Sequence, residues 1–121
     1  MEIYCGTDII EVDRIRKAIE KHENTFLSKI YTENEIVYCE SKNRMKFEHY
    51  AARFAGKEAT YKSISKVLNN KCDIKLKDIE ILNDKNGRPY VKVDKLENKI
   101  KIDISLSHIK DIAIANCVAY Y

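Results

Sequence analysis

The spacing of hydrophobic and polar residues changes along the chain from strand to helix and back to strand. Residues 3–10 form a short apolar run rich in β-branched side chains, which predicts a strand. A helical stripe follows, in which Ile15, Ala18 and Ile19 recur at helical spacing. These patterns predict a chain that opens as a strand followed by a helix.

Two more helices are predicted before the middle of the chain. Thr32 and Glu35 have the spacing of a capping box, so a short helix should run from there to about residue 39. From about residue 44 to residue 68, apolar residues return every three or four positions without a proline, which predicts a long central helix. The residues of its apolar stripe are Phe47, Tyr50, Ala51, Phe54, Ala55 and Tyr61.

The second half of the chain alternates with the period of strands. Ile79 and Ile81, then Val91 and Val93, flank residues 83–89, in which Asn-Gly predicts a hairpin because both residues accept positive φ. A second hairpin is predicted from the alternation at 100–106 and the apolar run at 112–120. We therefore predict one α+β domain over residues 1–121, with the long central helix packed on a small antiparallel sheet.

Composition narrows the classes of function. The net charge of +3 arises from 22 basic and 19 acidic residues spread along the chain, which argues against a nucleic-acid partner. No apolar run approaches the roughly 20 residues of a membrane span, and the first residues lack the features of a secretion signal. Four widely spaced cysteines favour buried, reduced thiols and a cytoplasmic location; they are Cys5, Cys39, Cys72 and Cys117.

Two carboxylates break the apolar pattern. Glu58 falls near the middle of the central helix stripe, and Asp8 is a lone acid within the first strand. An unpaired buried charge is costly, so Glu58 should have a cationic partner, hold a proton or line a cavity. Lys62, one turn later, offers an i,i+4 ion pair as the alternative explanation, and Asp8 could instead cap the first helix.

The two acids together could also hold Mg²⁺, which takes one or two protein carboxylates and completes its shell with water and phosphate oxygens. The chain has no glycine-rich phosphate loop, so phosphates would be held by side chains. Candidate cations are Arg53, Lys57, Lys62, Lys42, Arg44 and Lys46. A solvated charged face is the alternative for each of them, and a structural role is the alternative for the turn residue His108.

Four segments, taken together and in order, resemble the short bacterial 4′-phosphopantetheinyl transferases, the holo-acyl-carrier-protein synthases. Residues 6–12 are similar to the opening motif of that family. Residues 53–62, with Lys57, Glu58 and Lys62, are similar to its Phe/Trp-x-x-Lys-Glu-Ala/Ser-x-x-Lys signature. Residues 83–89 and 105–108 are similar to its hairpin and Ser-x-Ser-His motifs.

The resemblance implies an enzyme that transfers 4′-phosphopantetheine from coenzyme A to a serine of apo acyl carrier protein, releases adenosine 3′,5′-bisphosphate, requires Mg²⁺ and supports fatty acid biosynthesis. Asp8 and Glu58 would be metal ligands, Lys62 would offset diphosphate charge, and these three residues would be catalytic. The serine proton would pass either to Glu58 or to a metal-bound water. The implied coenzyme A site consists of Arg53, Lys57, Lys62, His108, Arg44 and Pro89.

The family resemblance also implies a homotrimer with active sites between subunits. The carrier protein would dock on the first helix through Arg14 and Lys17, with Phe54 as an apolar contact. Three features depart from the family pattern. Ser63-Ile64-Ser65-Lys66 replaces a glycine-containing loop, Gly56 stands where alanine is usual, and Ile109 stands where threonine is common.

Two other functions are compatible with parts of this pattern. A metal-dependent phosphohydrolase would use the same carboxylates and would consume coenzyme A without a carrier protein. A noncatalytic nucleic-acid-binding domain would use the basic residues, although their dispersal argues against it.

Overall fold

The computed structural model describes residues 1–68, 73–96 and 98–121. Three α-helices and five strands span these ranges, joined in part by short 3-10 turns at Asn43–Met45 and Leu76–Asp78. The elements in chain order are β1 Ile3–Glu11, α1 Val12–Ile30, α2 Glu33–Glu40, α3 Lys46–Leu68, β2 Glu80–Asn83, β3 Pro89–Lys92, β4 Lys101–His108 and β5 Ile112–Tyr120.

The helices begin and end close to the predicted positions. The capping box of α2 is present: the Glu35 N–H donates to the Thr32 hydroxyl, and the Thr32 N–H donates to the Glu35 carboxylate. Helix α1 follows β1 without a loop and is interrupted at His22, where φ and ψ leave the helical region. The long central helix α3 is confirmed, with a 3-10 turn preceding it.

The strands form two separate ladders. β1, β5 and β4 make an antiparallel sheet in the order β1-β5-β4, and β2 pairs with β3 as a hairpin of its own. The expectation of one sheet is therefore wrong, although β3 lies close to β4. Alternation along a strand indicates which face is buried, whereas it does not specify the neighbouring strand.

The β2–β3 turn differs from the predicted pair of positive-φ residues. Gly87 has φ +82°, while Asn86 is not among the described residues with positive φ. The Asp84 carboxylate instead accepts the N–H groups of Asn86 and Arg88, and the Asp84 N–H donates to the Arg88 carbonyl. An aspartate-capped turn thus closes the hairpin with a single glycine in the left-handed region.

One face of the three-stranded sheet packs against α3. The inward residues of β5 are small, and Ala113, Ala115 and Ala119 are almost fully buried. Gly6 of β1 comes closest to the helix, since a Cβ there would lie 1.9 Å from the Ala59 carbonyl oxygen. Small residues on the sheet therefore let α3 lie directly on its backbone.

The predicted stripe of α3 is confirmed in part. Its residues Tyr50, Ala51 and Ala55 are fully buried, whereas Phe47 and Phe54 are half-buried and Tyr61 is 42% exposed. The charged residues Arg53 and Lys57 are buried as well, at 3% and 0% exposure. The helix is enclosed on several sides, so its hydrophobic periodicity alone does not identify all of its buried side chains.

The thiols are divided between interior and surface. Cys39 and Cys117 are free and buried as predicted, whereas Cys5 is free and exposed, so the prediction is wrong for Cys5. Side chains alternate along β1: Tyr4 and Gly6 face inward, so Cys5 between them faces outward. Cys72 lies outside the described residues.

Replacing Gly6 by alanine should destabilise the protein strongly. The new methyl group would overlap backbone atoms of α3, which cannot rotate away, so we expect a loss of at least about 2 kcal/mol. Urea unfolding measures this loss. Lys85→Ala, in the exposed β2–β3 turn, is the control and should change stability by less than about 0.5 kcal/mol. Equal stability of the two variants would contradict the close approach of β1 and α3.

Candidate active site

Asp8 lies on the inward face of β1, opposite Ala115 of β5. Its side chain is 20% exposed. The residue preceding α1 is Glu11, which makes no side-chain capping bond, so the explanation of Asp8 as a helix cap is wrong. Asp8 is a strand residue whose carboxylate faces the helices.

Glu58 and Asp8 line the same groove, of about 320 Å³. The contact of Gly6 with Ala59 brings them there, because Asp8 is the next inward residue of β1 after Gly6 and Glu58 directly precedes Ala59. Burial raises the pKa of Glu58, and the nearby Asp8 carboxylate raises it further. The expectation that Glu58 lines a cavity is thus met.

Lys62 binds Asp8 rather than Glu58. Its ammonium donates to the Thr7 carbonyl oxygen at 2.9 Å and lies 3.3 Å from Asp8 Oδ1. Within the described parts of the chain, no cation lies within ion-pair distance of Glu58, so the i,i+4 explanation of Glu58 is wrong. Asp8, Glu58 and Lys62 nevertheless come together where β1 crosses α3.

The two carboxylates fit a hard divalent cation. Burial and then the neighbouring Asp8 carboxylate raise the pKa of Glu58, and a bound cation would relieve the repulsion between the two carboxylates. No cluster of three or more acidic, histidine or cysteine side chains is found in residues 1–68, 73–96 and 98–121. A site with two protein carboxylates suits Mg²⁺, which retains several waters and binds substrate phosphates.

Two of the three predicted carrier-protein contacts line the same groove. Arg14 of α1 and Phe54 of α3 contribute to its wall together with the carboxylates. Lys17 points to solvent outside the groove and pairs with Asp13 at 2.9 Å, with 72% of its side chain exposed. The groove therefore extends from the two carboxylates to the first turns of α1.

His108, at the end of β4, lies in a cluster of rings. Its Nδ1 is 3.1 Å from Glu48 Oε2 without hydrogen-bond geometry, and its ring lies 5.2 Å from that of His49. His49 in turn contacts Tyr38 edge to face. Burial lowers the pKa of His49 to about 4, with His108 contributing to the decrease.

Arg44 lies close to this cluster but in another groove. That groove, of about 400 Å³, is lined by Arg44, Glu48 and Lys110 among others. Glu48 therefore lies beside the predicted residue His108 and lines the same groove as the predicted residue Arg44. Pro89 begins β3 in the separate hairpin, opposite Asn83.

Arg53 is buried against that hairpin. Its guanidinium donates to the Asn83 side-chain oxygen and stacks 3.9 Å from the Tyr38 ring centroid. The Asn83 amide donates in turn to the Gly87 carbonyl. The Nε of Arg53 is buried without a hydrogen-bond partner in this structure. Arg53 thus connects α3 to the hairpin turn.

Lys57 is enclosed in the core. Its ammonium is 2.7 Å from Glu35 Oε1 and donates to the carbonyls of Leu76 and Ile79. The other oxygen of Glu35 accepts the Ile81 N–H. Burial lowers the pKa of Lys57, while the Glu35 carboxylate acts in the opposite direction. All three donors of the Lys57 ammonium are used inside the core, so in this structure the predicted coenzyme A contact of Lys57 has no donor left for a ligand.

Comparison with known proteins agrees with this arrangement. Residues 4–117 match the 4′-phosphopantetheinyl transferase superfamily. The chain belongs to this superfamily. The resemblance seen in the four motifs is thereby confirmed, and the family is one of transferase enzymes.

Curated relatives in the superfamily cover almost the whole chain. The chain is 44% identical over 128 residues to the holo-[acyl-carrier-protein] synthase of Ruminiclostridium cellulolyticum, covering 98% of this chain and 92% of the relative. It is 41% identical to the holo-[acyl-carrier-protein] synthase of Clostridium tetani, covering 95% and 93%.

Solved structures of the superfamily share the fold. A holo-(acyl-carrier-protein) synthase from Bacillus anthracis in complex with CoA (3′,5′-ADP) aligns with a TM-score of 0.78 at 33% identity, over 96% of this chain and 94% of that one. An ACPS-CoA complex from Chronobacterium ammoniagenes aligns with a TM-score of 0.84 at 23% identity, over 100% and 98%. The predicted α+β fold is confirmed.

The three departures from the superfamily pattern have visible structural settings. At Gly56, a Cβ would lie 2.4 Å from Ile81 Cδ1, so the glycine makes room for a larger neighbour. Helix α3 continues through residues 63–66, where a glycine-containing loop was the family expectation, and Ser65 donates to the Lys62 carbonyl. Ile109 is 66% exposed in the β4–β5 turn.

The sequence missed several polar residues that shape the site. In the sequence Glu35 carries only the signal of a capping residue, because its contacts with Lys57 and with the Ile81 N–H join groups that are distant in the chain. Glu48 and Tyr38 occupy ordinary helix positions in the sequence pattern. In the structure, Glu48 lies 3.1 Å from His108, and the Tyr38 ring stacks against Arg53.

No helix in the described ranges is long and apolar enough to cross a membrane.

Replacing Lys57 by methionine should destabilise the protein by about 3–5 kcal/mol, because the Glu35 carboxylate remains buried without its cation. Adding Glu35→Gln should recover part of that loss, which a double-mutant cycle in urea would measure. Arg88→Met is the control, since the Arg88–Asp103 pair is mostly exposed, and its cost should stay below about 1 kcal/mol. Similar costs at both pairs would contradict the core role of Lys57.

Proposed function

We propose that this protein transfers 4′-phosphopantetheine from coenzyme A to a serine of apo acyl carrier protein. The observation that carries the proposal is the convergence of Asp8, Glu58 and Lys62 at one groove in a chain of this superfamily. The names of the relatives and the coenzyme A complexes among the similar structures support the same substrates.

In the proposed reaction, the serine hydroxyl attacks the phosphorus that carries pantetheine. A new bond forms between the serine oxygen and that phosphorus, while the bond from phosphorus to the bridging oxygen breaks and adenosine 3′,5′-bisphosphate leaves. Asp8 and Glu58 would hold Mg²⁺, which supplies charge neutralisation for the diphosphate and orients it. The serine proton passes to Glu58 directly or through water.

The remaining residues bind and orient the substrate. Lys62 offsets negative charge on the diphosphate, since its ammonium is half-exposed beside Asp8. His108 and Arg44, near Glu48, line the adenosine end of coenzyme A, and strand β3, which begins at Pro89, borders it. Arg53 holds this hairpin in place through Asn83.

Carrier protein would dock at the wall of the groove formed by α1. Arg14 and Phe54 line the groove, and the exposed Lys17 extends the basic surface beyond it. Cations facing an acidic carrier protein raise the rate of association and make it sensitive to salt. We assign the holo carrier protein to fatty acid biosynthesis and the enzyme to the cytoplasm, where the free thiols of Cys5, Cys39 and Cys117 would stay reduced.

We further propose a homotrimer with the active sites between subunits. The outward face of the three-stranded sheet exposes large apolar side chains, which in a small protein are a common sign of an interface. These side chains belong to Ile3, Ile9, Ile112, Ile114 and Tyr120. A subunit of 121 residues would thereby gain walls for a substrate as large as coenzyme A.

Replacing Asp8 or Glu58 by alanine should reduce carrier-protein modification by at least about a hundredfold, as expected when electrostatic stabilisation of the transition state is removed. The mass increase of apo acyl carrier protein with coenzyme A and Mg²⁺ is the measurement. Glu33→Ala, an exposed acid of α2, is the control and should retain parental activity. Normal turnover of either site variant would refute the metal assignment, and coenzyme A consumption without carrier protein would indicate a phosphohydrolase.

Replacing Ile114 by lysine should dissociate the trimer, because a charge would enter the apolar face of the central strand. Sedimentation of the parent should give about three times the chain mass of 14.1 kDa, and the variant should sediment as a monomer. Val37→Lys is the matched control, since Val37 is also exposed but lies on α2. A monomeric parent would refute the trimer without affecting the transferase proposal.

A further inference from the structure

The ammonium of Lys62 occupies a position between two oxygens of β1. It donates to the Thr7 carbonyl at 2.9 Å and lies 3.3 Å from Asp8 Oδ1. The Lys62 side chain is 53% exposed, so its ammonium could have extended into solvent rather than contacting β1. A carbonyl and a carboxylate oxygen side by side are also ligands that hard divalent cations accept.

Lys62 takes this position although Glu58 lies one turn away on the same helix. The i,i+4 spacing permits an ion pair between Lys62 and Glu58, yet within the described residues Lys62 pairs with Asp8 instead. β1 is an edge strand of its sheet, and edge strands leave backbone groups without a strand partner. The Thr7 carbonyl therefore adds a second acceptor that Glu58 cannot offer.

We propose that Lys62 is a tethered counter-cation of Asp8 that a divalent ion displaces when it binds. The inference rests on the proposed function, in which Asp8 and Glu58 hold the cation. An ammonium at 3.3 Å from Asp8 Oδ1 would repel a divalent ion on the same carboxylate, so the two cations exclude each other. Lys62 keeps Asp8 neutralised and oriented while the groove holds no metal.

Displacement from Asp8 also frees the Lys62 ammonium for its proposed role beside the diphosphate. Once released from Asp8, the half-exposed ammonium can reach the diphosphate that arrives with the metal. Metal and diphosphate should then bind cooperatively, because each favours the arrangement in which Lys62 has left Asp8. Without diphosphate, the competition by Lys62 should weaken binding of the metal alone.

Titration with Mn²⁺ in the absence of coenzyme A tests the inference, with free Mn²⁺ measured by electron paramagnetic resonance. Lys62→Met should bind Mn²⁺ about two- to fivefold more tightly than the parent, the factor expected for loss of a partly exposed ion pair. Lys62→Arg keeps a cation and should bind like the parent. Lys66→Met removes the same charge one turn later, where the ammonium faces the Tyr4 ring, and should also bind like the parent.

Thermal unfolding supplies the second measurement. Lys62→Met should be less stable than the parent without metal, and Mn²⁺ should raise its melting temperature by more than that of the parent. Unchanged or weaker Mn²⁺ binding by a folded Lys62→Met would overturn the inference, as would equal tightening by Lys66→Met. Absence of Mn²⁺ binding in both parent and variant would overturn it too.

The proposed function is tested separately, by whether the protein modifies apo acyl carrier protein. A parent protein that binds Mn²⁺ in competition with Lys62 but does not modify carrier protein would refute the transferase proposal alone. Conversely, normal carrier-protein modification with no competition by Lys62 would refute only the tethered cation.

Discussion

The close contact between Gly6 of β1 and the Ala59 carbonyl of α3 is the constraint on which the candidate site depends. It lets the sheet and the central helix approach until backbone meets backbone. Asp8 and Glu58, each adjacent to this contact along its own element, are consequently carried to one groove. A larger residue at position 6 would separate the two elements, and with them the two carboxylates.

A buried ion pair holds the opposite side of α3. Glu35 near the start of α2 pairs with Lys57 in the middle of α3. The segment leading into the β2–β3 hairpin completes their hydrogen bonds, because its carbonyls accept from Lys57 and the Ile81 N–H donates to Glu35. Burying both charges is costly unless every polar atom is satisfied, and here the network supplies the partners. Glu58 therefore projects from a helix that is held on both sides.

The electrostatic character of the protein comes from local groups rather than from its small net charge. The carboxylates face the groove, Lys62 neutralises one of them, and Arg14 lies on the groove wall. The outward face of the three-stranded sheet, by contrast, is apolar and exposed in the single chain.

The sequence by itself determined the element order, the capping box, both hairpins and the family, because these depend on local spacing and short motifs. It also marked Asp8 and Glu58, since a charge in an apolar run is visible without a structure. Only the tertiary structure decided that Lys57 is a core residue, that Lys62 pairs with Asp8 and that the strands form two sheets. Those outcomes depend on which distant backbone atoms lie within hydrogen-bond reach, and periodicity along one chain segment carries no record of them.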